Sequence, residues 1–235
     1  MLDSAALRAR LADVRERIAR AAGRARRDPA SIRLVAISKT FDAEHVRAAA
    51  DAGQIDFGEN KVQESIQKME RTAELPLRWH LVGHLQSNKA RKAGARFDTI
   101  HSVDDVELAA RLDQAAADAG RTLELLAQVD LAGEPTKHGA RRDELLAIFE
   151  AARAFRAASL KGLMLLPPAV ENPEEARYYF RALSSVREHL MTRGVDRSML
   201  TELSMGMSHD FEVAVEEGAT LVRVGTAIFG SRTHV

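Results

Sequence analysis

At 235 residues, 46% of them hydrophobic, the chain is long enough to bury a substantial core. Its 34 basic residues are matched by 34 acidic ones, so no global field draws it to nucleic acid or to an anionic membrane. The lack of cysteine excludes disulfides, cysteine nucleophiles and thiolate metal sites, and no apolar stretch approaches the roughly 20 residues that span a bilayer. The N-terminus is rich in arginine but has no signal-like apolar block, and Asp3, Asp13 and Glu16 do not suit an acid-poor transit sequence. A soluble, cytoplasmic protein is the expectation.

Residues 3–26 place Leu7, Leu11, Val14 and Ile18 at helical spacing, which predicts an arginine-rich helix laid against the main body. Asp28-Pro29 ends it. A repeat then begins. Strand 34–38 is followed by a helix capped by Asp42 and closed by Gly53. Strand 55–58 leads to helix 61–71, strand 78–83 to a short helix at 87–94. Strand 97–102 is followed by a helix that Asp104 and Glu107 open as a capping box. Strand 123–129 leads through a loop to helix 141–155. Strand 160–165 precedes a helix opened by Asn172-Pro173. Strand 200–205 precedes a helix capped by Ser208, and strand 221–225 is the last. Eight strands, each followed by a helix or a turn of one, predict an α/β fold of (β/α)8 TIM-barrel type over residues 1–235, with 1–27 as an extra N-terminal helix. An open doubly wound sheet is the runner-up, but no Gly-x-Gly-x-x-Gly loop follows any strand.

In such barrels the ligand sits beyond the carboxyl ends of the strands. Lys39 stands there, at the end of the continuous apolar run 34–37. An amine partly stripped of water is a candidate nucleophile for a carbonyl, forming a Schiff base. The alternative is a solvated lysine that merely follows a strand. Strand two offers Glu59 and Asn60, and strand three offers His84. The loops after strands seven and eight are the usual phosphate-binding place. Gly206 and Gly225 would admit a close backbone approach there, and Ser204, Ser208 and Thr226 would add hydroxyls. Ordinary turn chemistry gives the same residues. Arg223, between Val222 and Val224, points into the barrel end and must find an acceptor. The ring nitrogen of pyridoxal phosphate is one, and a carboxylate such as Glu202 is another.

The motifs go further. Ser38-Lys39-Thr40, Phe57-Gly58-Glu59-Asn60, and the runs from Trp79 to Lys89, Leu203 to Ser208 and Val222 to Gly230 resemble the pyridoxal phosphate homeostasis protein family, the YggS/PROSC type. The resemblance covers nearly the whole chain. It implies a barrel similar to the N-terminal domain of alanine racemase, with pyridoxal 5'-phosphate held as an internal aldimine. Lys39 then matches the Schiff-base lysine, and Asn60 and His84 residues beside the ring. Ser204, Gly206, Gly225 and Thr226 match the phosphate cradle, with Met205 among the cofactor-binding residues, and Arg223 matches the partner of the ring nitrogen. The chain departs from the family after Ser208, where His209-Asp210 alters the helix-opening charge. In the loop 133–139, Lys137 is either a second amine or a solvated lid residue.

A racemase needs a base on each face of its substrate. The resemblance implies that this is a tyrosine from a separate β domain, for which a chain ending at Val235 leaves no room. Tyr178 and Tyr179 fall in a predicted helix. A cation at the ring nitrogen also weakens the ring as an electron sink. The expectation is therefore a carrier that buffers or delivers the cofactor, as a monomer, to apo-forms of pyridoxal phosphate enzymes, with no robust catalysis. The alternative is a slow racemase or decarboxylase. No metal site is expected: His80 and His84 are four apart but straddle a strand end, and no glutamate follows as in His-Glu-x-x-His.

Overall fold

A computed structural model describes residues 2–133 and 138–230. In chain order it forms α1 (Ser4–Arg24), β1 (Arg33–Ile37), α2 (Ala43–Asp51), β2 (Asp56–Glu59), α3 (Val62–Arg71), β3 (Arg78–Leu81), α4 (Ala90–Gly94), β4 (Thr99–Val103), α5 (Val106–Asp118), β5 (Leu123–Val129), α6 (Leu145–Ala152), β6 (Ala158–Leu165), α7 (Arg177–Thr192), β7 (Glu202–Ser204), α8 (Phe211–Glu216), β8 (Leu221–Val224) and α9 (Thr226–Phe229). The strands pair in sequence order, all parallel, and β8 closes on β1 through Val35 opposite Arg223 and Ala36 opposite Val224. The barrel is closed, as expected, and the open-sheet alternative is excluded.

Strand parity sorts the side chains. Leu34 and Ala36, Phe57, Leu81, Ile100, Leu125 and Ala127, Leu163, Leu203, Val222 and Val224 join the large apolar layer between barrel and helices. Val35, Ile37, Val82, Leu126, Met164 and Leu221 form a smaller apolar cluster inside. Each fully buried aliphatic side chain in these layers contributes roughly 1.5–3 kcal/mol. The register of β4 against β5 shifts between Ile100 and Val103. Such an irregularity re-aims the residues after it, and Asp104 follows directly at the barrel mouth.

The arginine-rich helix α1 buries Leu7, Leu11, Val14 and Ile18, as their spacing predicts. Four of its arginines reach the rest of the protein. Arg17 and Arg24 pair with Glu212 and Glu216 of α8, and Arg17 also stacks over Phe211. Arg10 donates to the Ile228 carbonyl in α9 at 2.7 Å. Arg15 donates to the Ala52 and Gly53 carbonyls at the end of α2. Thus α1 fastens the two helices that follow β7 and β8.

Three helix starts differ from expectation. Asp105, not Asp104, caps α5, accepting from Leu108 N–H at 2.7 Å. Asp104 is instead drawn to the mouth, opposite His84. Helix α8 starts at Phe211 rather than after Ser208, because Asp210 accepts from Met207 N–H at 2.6 Å and folds residues 207–210 into a turn. Asn172-Pro173 opens a short 3-10 turn, and α7 begins only at Arg177.

Candidate functional site

At the carboxyl ends of the strands lies a cavity of about 630 Å³, within the usual range for small-molecule sites. Lys39, Asn60, His84, Arg223, Gly225 and Thr226 lie on its wall, beside the apolar Ile37, Val82, Leu166 and Pro167. With Ser208, seven of the residues singled out from sequence therefore meet at one place. Ser204, Met205 and Gly206 lie beneath it instead. Ser204 is fully buried under Arg223, Met205 packs into the outer apolar layer, and Gly206 carries the chain round the turn. Gly206 has φ of +91°, and a Cβ there would come within 2.5 Å of the Ala214 Cβ. Only glycine allows that turn to sit on α8.

Lys39 is half-buried, directly after β1. The next residue, Thr40, has φ of +70°, a conformation a β-branched side chain adopts only under constraint. Beneath this turn Ser38 Oγ donates to Glu59 at 2.6 Å, and Lys68 of α3 reaches both Glu59 and the Ser38 carbonyl. Glu59 therefore faces outward to α3, not into the mouth, in keeping with its parity with Phe57. Asn60 is set by Gly83: a Cβ there would fall 2.3 Å from the Asn60 carbonyl oxygen.

Arg223, 3% exposed, donates from Nη1 to Ser204 Oγ at 2.6 Å and from Nη2 to the Leu165 carbonyl at 2.8 Å. Glu202, the carboxylate that could have taken it, pairs with Arg33 and Thr220 instead. Burial pulls the guanidinium down to about 10, against the opposing pull of Asp210, so it stays charged at neutral pH. Asp210 is itself raised by burial. Ser208 Oγ accepts from Gly225 N–H at 3.1 Å and from Ala227 N–H at 3.4 Å. With its lone pairs so used, its own proton is left to be donated into the cavity.

The opposite rim was hidden from the sequence. His138 stacks on His84 with centroids 3.5 Å apart and planes within 10°. Gln128 Nε2 holds the His138 carbonyl at 2.5 Å. Burial, then the His138 charge, lowers the His84 pKa, and burial raises that of Asp104. His84, Asp104 and His138 bring ligand-type atoms within 4.8 Å of one another. Parallel stacked imidazoles aim their lone pairs along two separate planes, so one metal ion cannot meet both rings in this arrangement. His80, the other histidine weighed from sequence, turns into the barrel interior. Lys137 lies outside the described residues.

This donor set suits a flat ring carrying a carbonyl and an anion: an amine, a buried cation and hydroxyls, beside an apolar wall. A family model described as alanine racemase, N-terminal domain, matches residues 3–233. The chain belongs to that family. Among its members, the pyridoxal phosphate homeostasis protein of Aquifex aeolicus is 41% identical over 225 residues, spanning 96% of this chain and 98% of that one. The protein of the same name from Pseudomonas aeruginosa is 42% identical over 224 residues, 95% of each chain. PipY of Synechococcus elongatus, solved with pyridoxal phosphate bound, superposes with a TM-score of 0.84 at 41% identity, over 95% of this chain and all of that one. An alanine racemase from Clostridium difficile shares the fold at a TM-score of 0.73 and 15% identity. There 97% of this family member matches 57% of the racemase.

Proposed function

We propose that this protein binds pyridoxal 5'-phosphate and serves its homeostasis, holding the cofactor reversibly through Lys39 and passing it to apo-forms of enzymes that need it. The observation that carries this is the meeting of Lys39 and Arg223, from the adjacent strand ends of β1 and β8, on one cavity wall with Ser208 and Thr226. The names of the relatives and the cofactor in PipY support the same reading.

When bound, the cofactor supplies an aldehyde that condenses reversibly with an amine and a ring that can draw in electrons. The chain's residues do the rest. Lys39 supplies the amine. Ser208 and Thr226 would donate their hydroxyls to the phosphate. Arg223, a donor only, can meet the ring nitrogen only as a hydrogen-bond acceptor, which leaves the ring unprotonated. Ile37, Val82 and Leu166 shield the ring from water.

That arrangement favours holding over turnover. Tyr178 and Tyr179 sit together on α7, outside the barrel, with Tyr178 71% exposed. Neither can act as a base at the mouth. The test is to load the protein with pyridoxal phosphate, incubate it with L-amino acids in heavy water, and separately mix it with an apo-aminotransferase. The reading predicts α-proton exchange far below about 1 per second and recovery of aminotransferase activity. Exchange at or above that rate would make the protein an enzyme.

A further inference from the structure

The interior of a (β/α)8 barrel is ordinarily filled by branched aliphatic side chains. Here five polar groups from five strands cross it in one file. Arg223 Nη1 meets Ser204 Oγ at 2.6 Å. Ser204 Oγ meets His101 Nδ1 at 2.8 Å, and His101 Nε2 meets His80 Nδ1 at 2.9 Å. His80 Nε2 meets Asp56 Oδ1 at 3.0 Å, and Arg78 closes the far end on Asp56 Oδ2 at 2.8 Å. Ser204, His101 and His80 are fully buried, and Asp56 is 5% exposed.

The chemistry of the two ends dictates the direction of every bond. A guanidinium can only donate, so Ser204 accepts from Arg223 and has one proton to pass on. A carboxylate can only accept, so His80 donates from Nε2. A neutral His80 must then accept at Nδ1, so His101 donates from Nε2 and accepts at Nδ1, where Ser204 delivers its proton. The two ends demand the same order, and no other assignment of neutral rings satisfies every bond. Burial, with the charges of Arg223 and Arg33 adding to it, holds the His101 pKa well below its ordinary value, as this order needs.

We propose that Ser204, His101, His80 and Asp56 are positioning residues for Arg223: a one-way hydrogen-bond relay, anchored on a carboxylate at the foot of the barrel, that fixes the orientation of the guanidinium and thereby the donor it presents to the ring of bound pyridoxal phosphate. This rests on the reading that Arg223 meets the ring nitrogen. Among the described residues, Arg223 has one other bond that sets its side chain, to the Leu165 carbonyl. Without the relay its plane would turn on that single contact. The Ser204 hydroxyl, read from sequence as part of the phosphate cradle, acquires a different duty. So does Asp56, which does not line the cavity.

Nitrogen NMR of the histidine-labelled protein, without cofactor at neutral pH, reads the direction of the file. Both His80 and His101 are expected as neutral rings protonated at Nε2. A ring protonated at Nδ1, alone or as imidazolium, would overturn the relay. The loaded protein supplies the second readout, the pH titration of its visible absorption band. Arg223→Lys, Ser204→Ala and Asp56→Asn are each expected to move the midpoint by about half a pH unit or more. In the Arg223→Lys background the other two should add nothing, since they act through Arg223. If Arg223→Lys moves the band and Ser204→Ala and Asp56→Asn do not, the relay is wrong while the ring contact stands. If Arg223→Lys leaves the band unmoved, the ring contact itself is wrong. Should Asp56→Asn fail to fold, Ser204→Ala and the nitrogen spectrum of the natural protein decide the matter.

Discussion

Two buried polar clusters lie under the mouth of this barrel, and they are built on opposite plans. The one under Lys39 sits outside the wall, where Glu59 points at α3 and meets Lys68 and Ser38. Its charges cancel within a few ångströms, and the effect is to clamp the main chain at the turn that carries the amine. The one under Arg223 runs inside the wall, from Asp56 to Ser204, and ends on a cation that faces the cavity. A closed pair holds backbone in place. An open file of donors and acceptors sets the orientation of a functional group.

Breaking the closed pair should have the largest effect. Lys68→Met leaves the Glu59 carboxylate buried, 1% exposed, without its cation. A loss of about 3–5 kcal/mol in urea unfolding is expected, with a milder loss when Glu59→Leu is added. Equal losses from the single and double variants would show that the pair does not act as a unit. Opening the file at its functional end should cost less. Arg223→Ala is expected to weaken pyridoxal phosphate binding by roughly 10- to 100-fold in a fluorescence titration, the value of a lost charge-assisted bond. Covalent capture should persist. An unchanged affinity would remove Arg223 from the site.

Acid should distinguish the clusters too. His101 faces His80 on β3, Ser204 on β7, Arg223 on β8 and the charge of Arg33 on β1, and its folded pKa lies well below 6.5. The unfolded chain takes up that proton near pH 6.5, and the folded chain does not. The unfolded state therefore binds more protons below that pH, and stability present above about pH 6.5 is lost as pH falls. The slope from this group approaches about 1.4 kcal/mol per pH unit. Urea midpoints measured from pH 7.5 to 5 should show it, and His101→Phe should flatten it. The smallest effect belongs to the surface clamp: Arg24→Ala should cost about 0.2–1 kcal/mol, less at high salt.

Much of this was legible in the sequence, for identifiable reasons. The eight repeats could be read as a barrel because short strand-like runs alternate with helices set off by capping residues and glycines. Lys39 and Arg223 could be read because strand ends in a barrel share one face. Met205 shows a signal that was there to use: in a strand where Ser204 points inward, its neighbour must point outward. The choice between Asp104 and Asp105 as a cap was not decidable locally, since both are good caps and only the distant His84 claims one of them. The relay was invisible for the same reason. Its members come from β2, β3, β4, β7 and β8, and nothing in the spacing of 56, 80, 101, 204 and 223 joins them before the barrel closes. The His84–His138 stack depends likewise on a loop that Gln128 brings back over the mouth.

The central claim is that the Lys39 amine takes the cofactor. Intact mass followed by peptide mapping, after pyridoxal phosphate is added and the protein reduced with borohydride, tests it most directly. The account predicts one stable adduct mapped to Lys39, absent from Lys39→Ala. An unmodified protein, or an adduct that persists in Lys39→Ala, would contradict it.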